Sequence, residues 1–134
     1  ADYDATLSSN GKKNDNSMFS INGNGHYNKG ELAFEVVKIK IEKHKDLTAS
    51  EIVSRFEELN IPVSNLVITE ERYNKKKDSS KENLQKFERR FNTFSLSDGS
   101  RIYITKGFTI DTIVQFNKVI NSQSDWGINI ERIS

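Results

Sequence analysis

A chain of 134 residues is long enough for one domain that buries its own apolar core without disulfides or metals. It contains no cysteine, which excludes a disulfide framework, a thiolate zinc site and a cysteine nucleophile, and it contains no apolar run near the roughly 18 residues of a membrane span. The formal net charge of +1 excludes a uniformly basic surface, so any nucleic-acid binding must arise from an uneven distribution of charge.

The first predicted strand follows a polar segment. Residues 1–17 are mostly Ser, Asn, Asp, Gly and Lys, which predicts a flexible tail, and residues 18–134 are predicted to form one α+β domain. Residues 18–21 (MFSI) alternate as a short strand that ends at the turn-rich NGNG of residues 22–25.

Two helices are predicted next. Residues 29–45 place apolar side chains at helical spacing, although VKIKI at 37–41 also alternates like a strand and is rich in β-branched residues. The length of the segment favours a helix. Thr48 and Glu51 form a capping box that opens the second helix, and NIP at 60–62 stops it.

Residues 64–77 leave two structures open. Ser64 can cap a third helix, or LVIT at 66–69 can form a short strand. DSS at 78–80 breaks the pattern and is predicted to cap a helix that starts at Lys81 and carries apolar residues at i, i+3 and i+7, namely Leu84, Phe87 and Phe91.

The last third of the chain predicts a hairpin, a helix and a strand. Residues 93–97 and 100–105 alternate as strands around DG at 98–99, which is a signal for a two-residue hairpin turn. Thr109 is predicted to cap a helix. WGINIERI at 126–133 alternates again and is predicted to be a closing strand.

The order of these elements predicts the α+β class. Three short helices followed by a hairpin are the ingredients of a winged-helix-like unit, which would form the helical half of the domain. The ending, a β-hairpin–α–β layer, is expected to pack against those helices.

The ending also resembles a known kind of module. LSDGSRIYITKGF, followed by a helix and WGINIERI, is similar to a terminal module of uncharacterised bacterial proteins, over Phe91 to Ile133. The resemblance implies a bacterial origin for this arrangement of hairpin, helix and strand. It implies no activity and no functional residues.

The sequence offers little for catalysis or metal binding. His26 lies in a Gly/Asn turn and His44 near the end of a predicted helix, and neither has the three or four convergent ligands that the common cations need. The NGNG turn lacks the spacing of a phosphate loop, and no G-x-S-x-G elbow is present. We therefore predict no catalytic residue, no metal site and no cofactor.

The strongest functional signal is a segregation of charge within residues 72–90 (RYNKKKDSSKENLQKFERR). This segment contains eight basic and three acidic residues, a net charge of +5, which leaves −4 for the rest of the +1 chain. Lysine and arginine displace counterions from a polynucleotide backbone, so the segment predicts a strip that faces phosphates. A solvated connector that keeps a small protein soluble is the alternative interpretation.

The predicted nucleic-acid interface combines this strip with a reading helix. Tyr73 is predicted to stack on a sugar or base. Ser64, Asn65 and Thr69 are predicted to lie on the candidate reading helix, where small polar side chains reach base edges. The predicted interface residues are Ser64, Asn65, Thr69, Arg72, Tyr73, Lys75, Lys76, Lys77, Lys81, Arg89 and Arg90.

The favoured prediction is a nucleic-acid-binding recognition or accessory module, with DNA favoured over RNA. The alternative is a protein-interaction adaptor, in which residues 126–133 offer a strand edge to a partner. A metal-dependent nuclease is the third hypothesis, because Glu35, Lys38, Glu42 and Asp46 supply matching residue types. No membrane partner is predicted, the absence of cysteine fits a cytoplasmic location, and the oligomeric state is left open.

Overall fold

The computed structural model describes residues 17–134, which combine helices with two small antiparallel sheets and confirm the α+β class. Of the predicted tail only Ser17 is described, and it is buried. The strands are β1 (Phe19–Ile21), β2 (Asn24–Tyr27), β3 (Val67–Thr69), β4 (Phe91–Ser95), β5 (Arg101–Thr105) and β6 (Ile130–Arg132). The helices are α1 (Lys29–Lys43), α2 (Ala49–Glu57), α3 (Glu70–Ser79), α4 (Leu84–Glu88) and α5 (Ile110–Asn121).

The first sheet has the order β2-β1-β6 and joins the two ends of the described chain. In it Phe19 pairs with Arg132 and Ile21 with Ile130. The predicted closing strand was too long, because only its last part pairs with β1. Gly127 has a φ of +66°, which is not an extended conformation, so the backbone becomes a strand only after it.

The second sheet has the order β3-β5-β4 and contains the predicted hairpin. Its connection has three residues rather than two, since Leu96 N–H donates to Ser100 O at 2.7 Å and Gly99 N–H donates to Leu96 O at 3.0 Å. Gly99 takes a φ of +90°, as a three-residue loop with a terminal bulge requires. The DG pair therefore predicted the hairpin correctly and its loop length wrongly.

The two first helices form as predicted. Helix α1 begins with a capping box between Asn28 and Glu31, and its apolar side chains fall on one buried face, so burial against the sheets favours the helix over the strand alternative. Helix α2 begins with the predicted capping box, in which Glu51 N–H donates to Thr48 Oγ1 at 3.2 Å and Thr48 N–H donates to Glu51 Oε1 at 2.9 Å.

Residues 64–80 form both of the structures that the sequence left as alternatives, one after the other. Strand β3 pairs with β5 and buries Val67 and Ile68, and Thr69 then caps α3 through its hydroxyl, which accepts from Arg72 N–H at 3.3 Å. Ser64 therefore caps no helix, and Asn65 lies in a turn with a φ of +57°. The prediction of a reading helix that starts at Ser64 is wrong.

The predicted helix break at residues 78–80 is also misplaced. Helix α3 continues to Ser79, and the next helix, α4, starts at Leu84 with Asn83 as its cap instead of at Lys81. Phe91 belongs to β4, where it pairs with Thr105. Because Phe91 pairs with β5, it is a strand residue and does not continue the helix that its spacing suggested.

Two groups of buried side chains hold these elements together. The larger core lies between α1, α2, α5 and the two sheets and includes an edge-on contact between Phe56 and Trp126, whose ring centroids are 5.2 Å apart. The smaller core lies under α3 and consists of Ile68, Tyr73, Phe87 and Tyr103, with Phe91 packed against it.

Candidate nucleic-acid interface

Helix α3 brings three basic side chains to one side of the molecule. Arg72, Lys75 and Lys76 stand at i, i+3 and i+4, so they share a helix face, and together they line a shallow depression of about 500 Å³. Arg72 and Lys75 are exposed and Lys76 is half-exposed. We call this surface the basic depression; its lining residues are Thr69, Glu71, Arg72, Lys75, Lys76 and Ser79.

Tyr73 does not take the role predicted for it. Its side chain is only 5% exposed and stacks on Tyr103, with ring centroids 3.7 Å apart and planes 6° apart. Burial raises the pKa of Tyr73, and the charges of Glu88 and Tyr103 act in the same direction. The ring is a core residue that anchors α3 to the sheet, and the prediction that it stacks on a base is wrong.

The remaining basic residues do not line the basic depression. Lys77 Nζ lies 5.5 Å from the centroid of the Tyr73 ring and does not line the basic depression. Arg90 forms a two-pronged ion pair with Glu82, at 2.7 Å and 2.9 Å. Lys81 and Arg89 are exposed on the α3–α4 connection and the end of α4. The basic strip of the sequence is therefore divided among several surfaces.

A second depression of about 600 Å³ adjoins the first and shares Lys76 and Ser79 with it. Ser64 and Asn65 line it, although they lie on a turn and not on a helix. We call it the hydroxyl-lined depression. It lies between the end of α3, residues 62–65, the start of β4 and the loop before α5; its polar lining residues include Ser64, Asn65, Lys76, Ser79, Ser80, Glu82, Arg90, Thr105 and Thr112.

Several residues of this second depression have no signal in the sequence. Phe91, Thr105, Gly107 and Thr112 come from the hairpin and the start of α5, far along the chain from Ser64. The backbone turn among them is tight, because Thr105 Oγ1 accepts from Gly107 N–H at 3.1 Å. Only the pairing of β3 with β5 brings this loop beside residues 64 and 65.

The described residues offer no metal centre. Within residues 17–134 there is no group of three or more His, Asp or Glu side chains that could hold a metal ion. Glu35, Lys38 and Glu42 all lie on α1, and His44 is its exposed C-cap. The nuclease hypothesis stays a prediction.

The edge of β6, on which the adaptor hypothesis relied, is partly occupied. The Ile133 N–H points toward β1, where it donates to Met18 O at 2.8 Å. Because the backbone groups of successive residues point to opposite sides of a strand, the N–H and C=O of Ile130 point toward the free edge. The Asn121 side chain pairs with both groups: it accepts from Ile130 N–H at 2.7 Å and donates to Ile130 O at 3.0 Å. A partner strand would have to displace this side chain.

In comparisons with family models, curated proteins and solved structures, none matched the chain. The resemblance of residues 91–133 to a bacterial terminal module thus stays a prediction. No helix within residues 17–134 has both the length and the apolar character needed to cross a membrane.

Proposed function

We propose that the protein is a nucleic-acid-binding accessory module, for DNA rather than RNA, that holds phosphates on the exposed face of α3. The observation that carries the proposal is the grouping of Arg72, Lys75 and Lys76 around the basic depression. Such cations gain affinity by releasing counterions from the polynucleotide, and arginine can also fork onto a phosphate.

The local charge of this surface agrees with the proposal. Three cations line the basic depression against one carboxylate, that of Glu71. None of the three cations forms an ion pair among those described for residues 17–134, whereas Arg90 is held by Glu82. Arg72, Lys75 and Lys76 therefore have charge to offer a phosphate.

The order of the elements around α3 also supports the proposal. The chain runs α2, β3, α3, α4, β4, β5, and β3 lies beside β5 in the sheet. A winged-helix unit would have this order of elements, namely a helix, a strand, two helices and a hairpin. In such a unit α4 would take the place of the reading helix. Since α4 has five residues and spans about 8 Å, the proposal rests on the phosphate contacts of α3 and not on α4.

Fluorescence anisotropy with labelled duplex and single-stranded DNA tests the proposal. We expect affinity to fall steeply between two salt concentrations, with a slope of about −0.9 per neutralised phosphate for a duplex and about −0.7 for a single strand. The double variant Lys75→Glu, Lys76→Glu should reduce both the affinity and this slope.

A matched control separates a local effect from a change in overall charge. Lys45 and Lys118 are exposed on other elements, so changing both to Glu alters the net charge equally without touching the basic depression. If the control lowers affinity as much as the test variant does, the proposal is wrong.

A protein-interaction adaptor is the second candidate, and one apolar surface favours it. A depression of about 600 Å³ lies between the α1–α2 connection and the hairpin, where Ile41, Leu47, Phe94 and Leu96 supply apolar walls. Ser95 at its rim is exposed. A pull-down in which Ser95→Arg loses a partner that the wild type retains would support this function; identical recoveries would count against it.

A further inference from the structure

The hydroxyl-lined depression is lined by both polar and aromatic side chains. Phe91 is half-buried and lines the depression, and its ring centroid lies 5.7 Å from that of Phe87, which also lines it. The other lining side chains include hydroxyl and amide groups from residues 64, 65, 79, 80 and 112, together with Lys76 and the ion pair between Arg90 and Glu82. A ligand that is apolar on one face and forms hydrogen bonds at its edge matches this lining.

The volume of the depression suits a small planar group. About 600 Å³ lies within the range of roughly 300–1,000 Å³ that is typical of small-molecule sites. It is concave, so it cannot follow the outside of a continuous duplex, in which bases are stacked inside the helix. An unpaired base, by contrast, exposes both its ring face and its hydrogen-bonding edge.

The charge next to the depression specifies what the planar group is attached to. Lys76 lines both depressions, and Arg72 and Lys75 continue the cationic surface beyond it. A base seated against Phe91 would therefore have its phosphates within reach of the basic depression. Recognition of an uncharged aromatic ligand would not require these cations beside the depression.

We propose that the hydroxyl-lined depression receives one unpaired nucleobase of a strand whose phosphates lie on α3. This inference rests on the proposed function and names the form of nucleic acid that is bound. Phe91 supplies the stacking surface, and Asn65 and Ser64 supply hydrogen-bonding groups at the base edge. The stacking role that the sequence suggested for Tyr73 is taken by a different aromatic residue.

The test compares labelled single-stranded DNA with an otherwise identical strand that carries one abasic position at a time. The two strands have the same phosphates, so they differ only in the base. We expect the full-length chain to bind the abasic strand about tenfold more weakly at the position that fills the depression. Stacking of a base on an aromatic side chain accounts for a change of this size.

A blocking variant tests whether the depression is the site of this preference. Ser64→Tyr places a large side chain in the opening, and Ser54→Tyr places the same side chain on the exposed face of α2. We expect Ser64→Tyr to lose the difference between base-containing and abasic strands, and Ser54→Tyr to keep it. Unchanged thermal unfolding of both variants shows that the fold is intact.

The outcomes separate the two proposals. Salt-dependent binding with equal affinity for base-containing and abasic strands overturns the nucleobase site and leaves the phosphate surface standing. A base preference that Ser64→Tyr retains also overturns the site. Absence of binding to every strand overturns the proposed function and this inference together.

Discussion

Lys40 is a buried cation whose replacement should stabilise the protein. Its side chain is 2% exposed, and Nζ lies 4.1 Å from the centroid of the Trp126 ring. Burial lowers the pKa of Lys40; Arg55 and Lys43 act in the same direction, and Asp125 opposes them. The ammonium is thus held in the core by its aromatic contact and Asp125 against a cost of desolvation.

The variant Lys40→Met keeps an unbranched side chain of similar length and removes the charge. The cation–π contact that is lost contributes about 2 kcal/mol when desolvated. The desolvation penalty that is relieved amounts to several kcal/mol for a buried ion. We therefore expect Lys40→Met to raise the free energy of unfolding at pH 7 by about 1 kcal/mol, the difference between these opposing effects.

The pH dependence of this gain follows from the direction of the pKa shift. Because the folded-state pKa of Lys40 lies below that of the unfolded chain, the unfolded state binds more protons in the interval between the two values. The stability of the wild type relative to the variant therefore rises with pH in that interval, by at most about 1.4 kcal/mol per pH unit. At pH values below this interval, the difference in stability between wild type and variant is constant.

Urea unfolding followed by tryptophan fluorescence measures these differences, since Trp126 is the only tryptophan in the sequence. Urea titrations of wild type and Lys40→Met at a series of pH values from 7 to about 11, a range that includes the ordinary pKa of lysine, would give the free energy of unfolding of each at every pH. The reasoning is refuted if Lys40→Met is less stable than the wild type at pH 7, a result that would make the ammonium net stabilising.

Three further changes have expected outcomes that urea unfolding can check. Asn121→Ala should lower the free energy of unfolding by about 2 kcal/mol, because two hydrogen bonds to Ile130 are lost. Size-exclusion chromatography of this variant should also show association through the uncovered edge of β6, and an unaltered monomer peak would contradict that expectation. Gly127→Ala should lower the free energy of unfolding by about 1–2 kcal/mol, because φ is +66° at this position. An unchanged urea midpoint would show that the backbone relaxes. Thr48→Ala should cost about 1 kcal/mol through loss of the capping box, and equal stability would mean that water replaces the cap.

The candidate site was only partly predictable from the sequence. The local excess of basic residues at 72–90 identified Arg72, Lys75 and Lys76, because side chains at i, i+3 and i+4 share a face once the segment is helical. The same composition gave no means of separating them from Lys77. Whether a basic residue of α3 faces solvent or a tyrosine ring depends on which face of α3 packs on β5, and that is a tertiary property.

The sequence by itself determined the elements whose signals lie within about four residues. The capping box at Thr48, the cap at Thr109 and the glycine of the β4–β5 turn each satisfy neighbouring backbone groups, so their effect does not depend on the rest of the chain. Helical spacing also indicated the apolar face of α1, although burial against the sheets was needed to select the helix over the strand alternative.

Only the tertiary structure decided the region around the site. Val67 and Ile68 became a strand because β5, more than thirty residues later, supplies their hydrogen-bond partners. That pairing buries Tyr73 under α3, places Phe91 on the second depression and sets the loop before α5 beside Ser64. Hydrogen bonding and burial between distant segments override local preference, and they assembled the hydroxyl-lined depression.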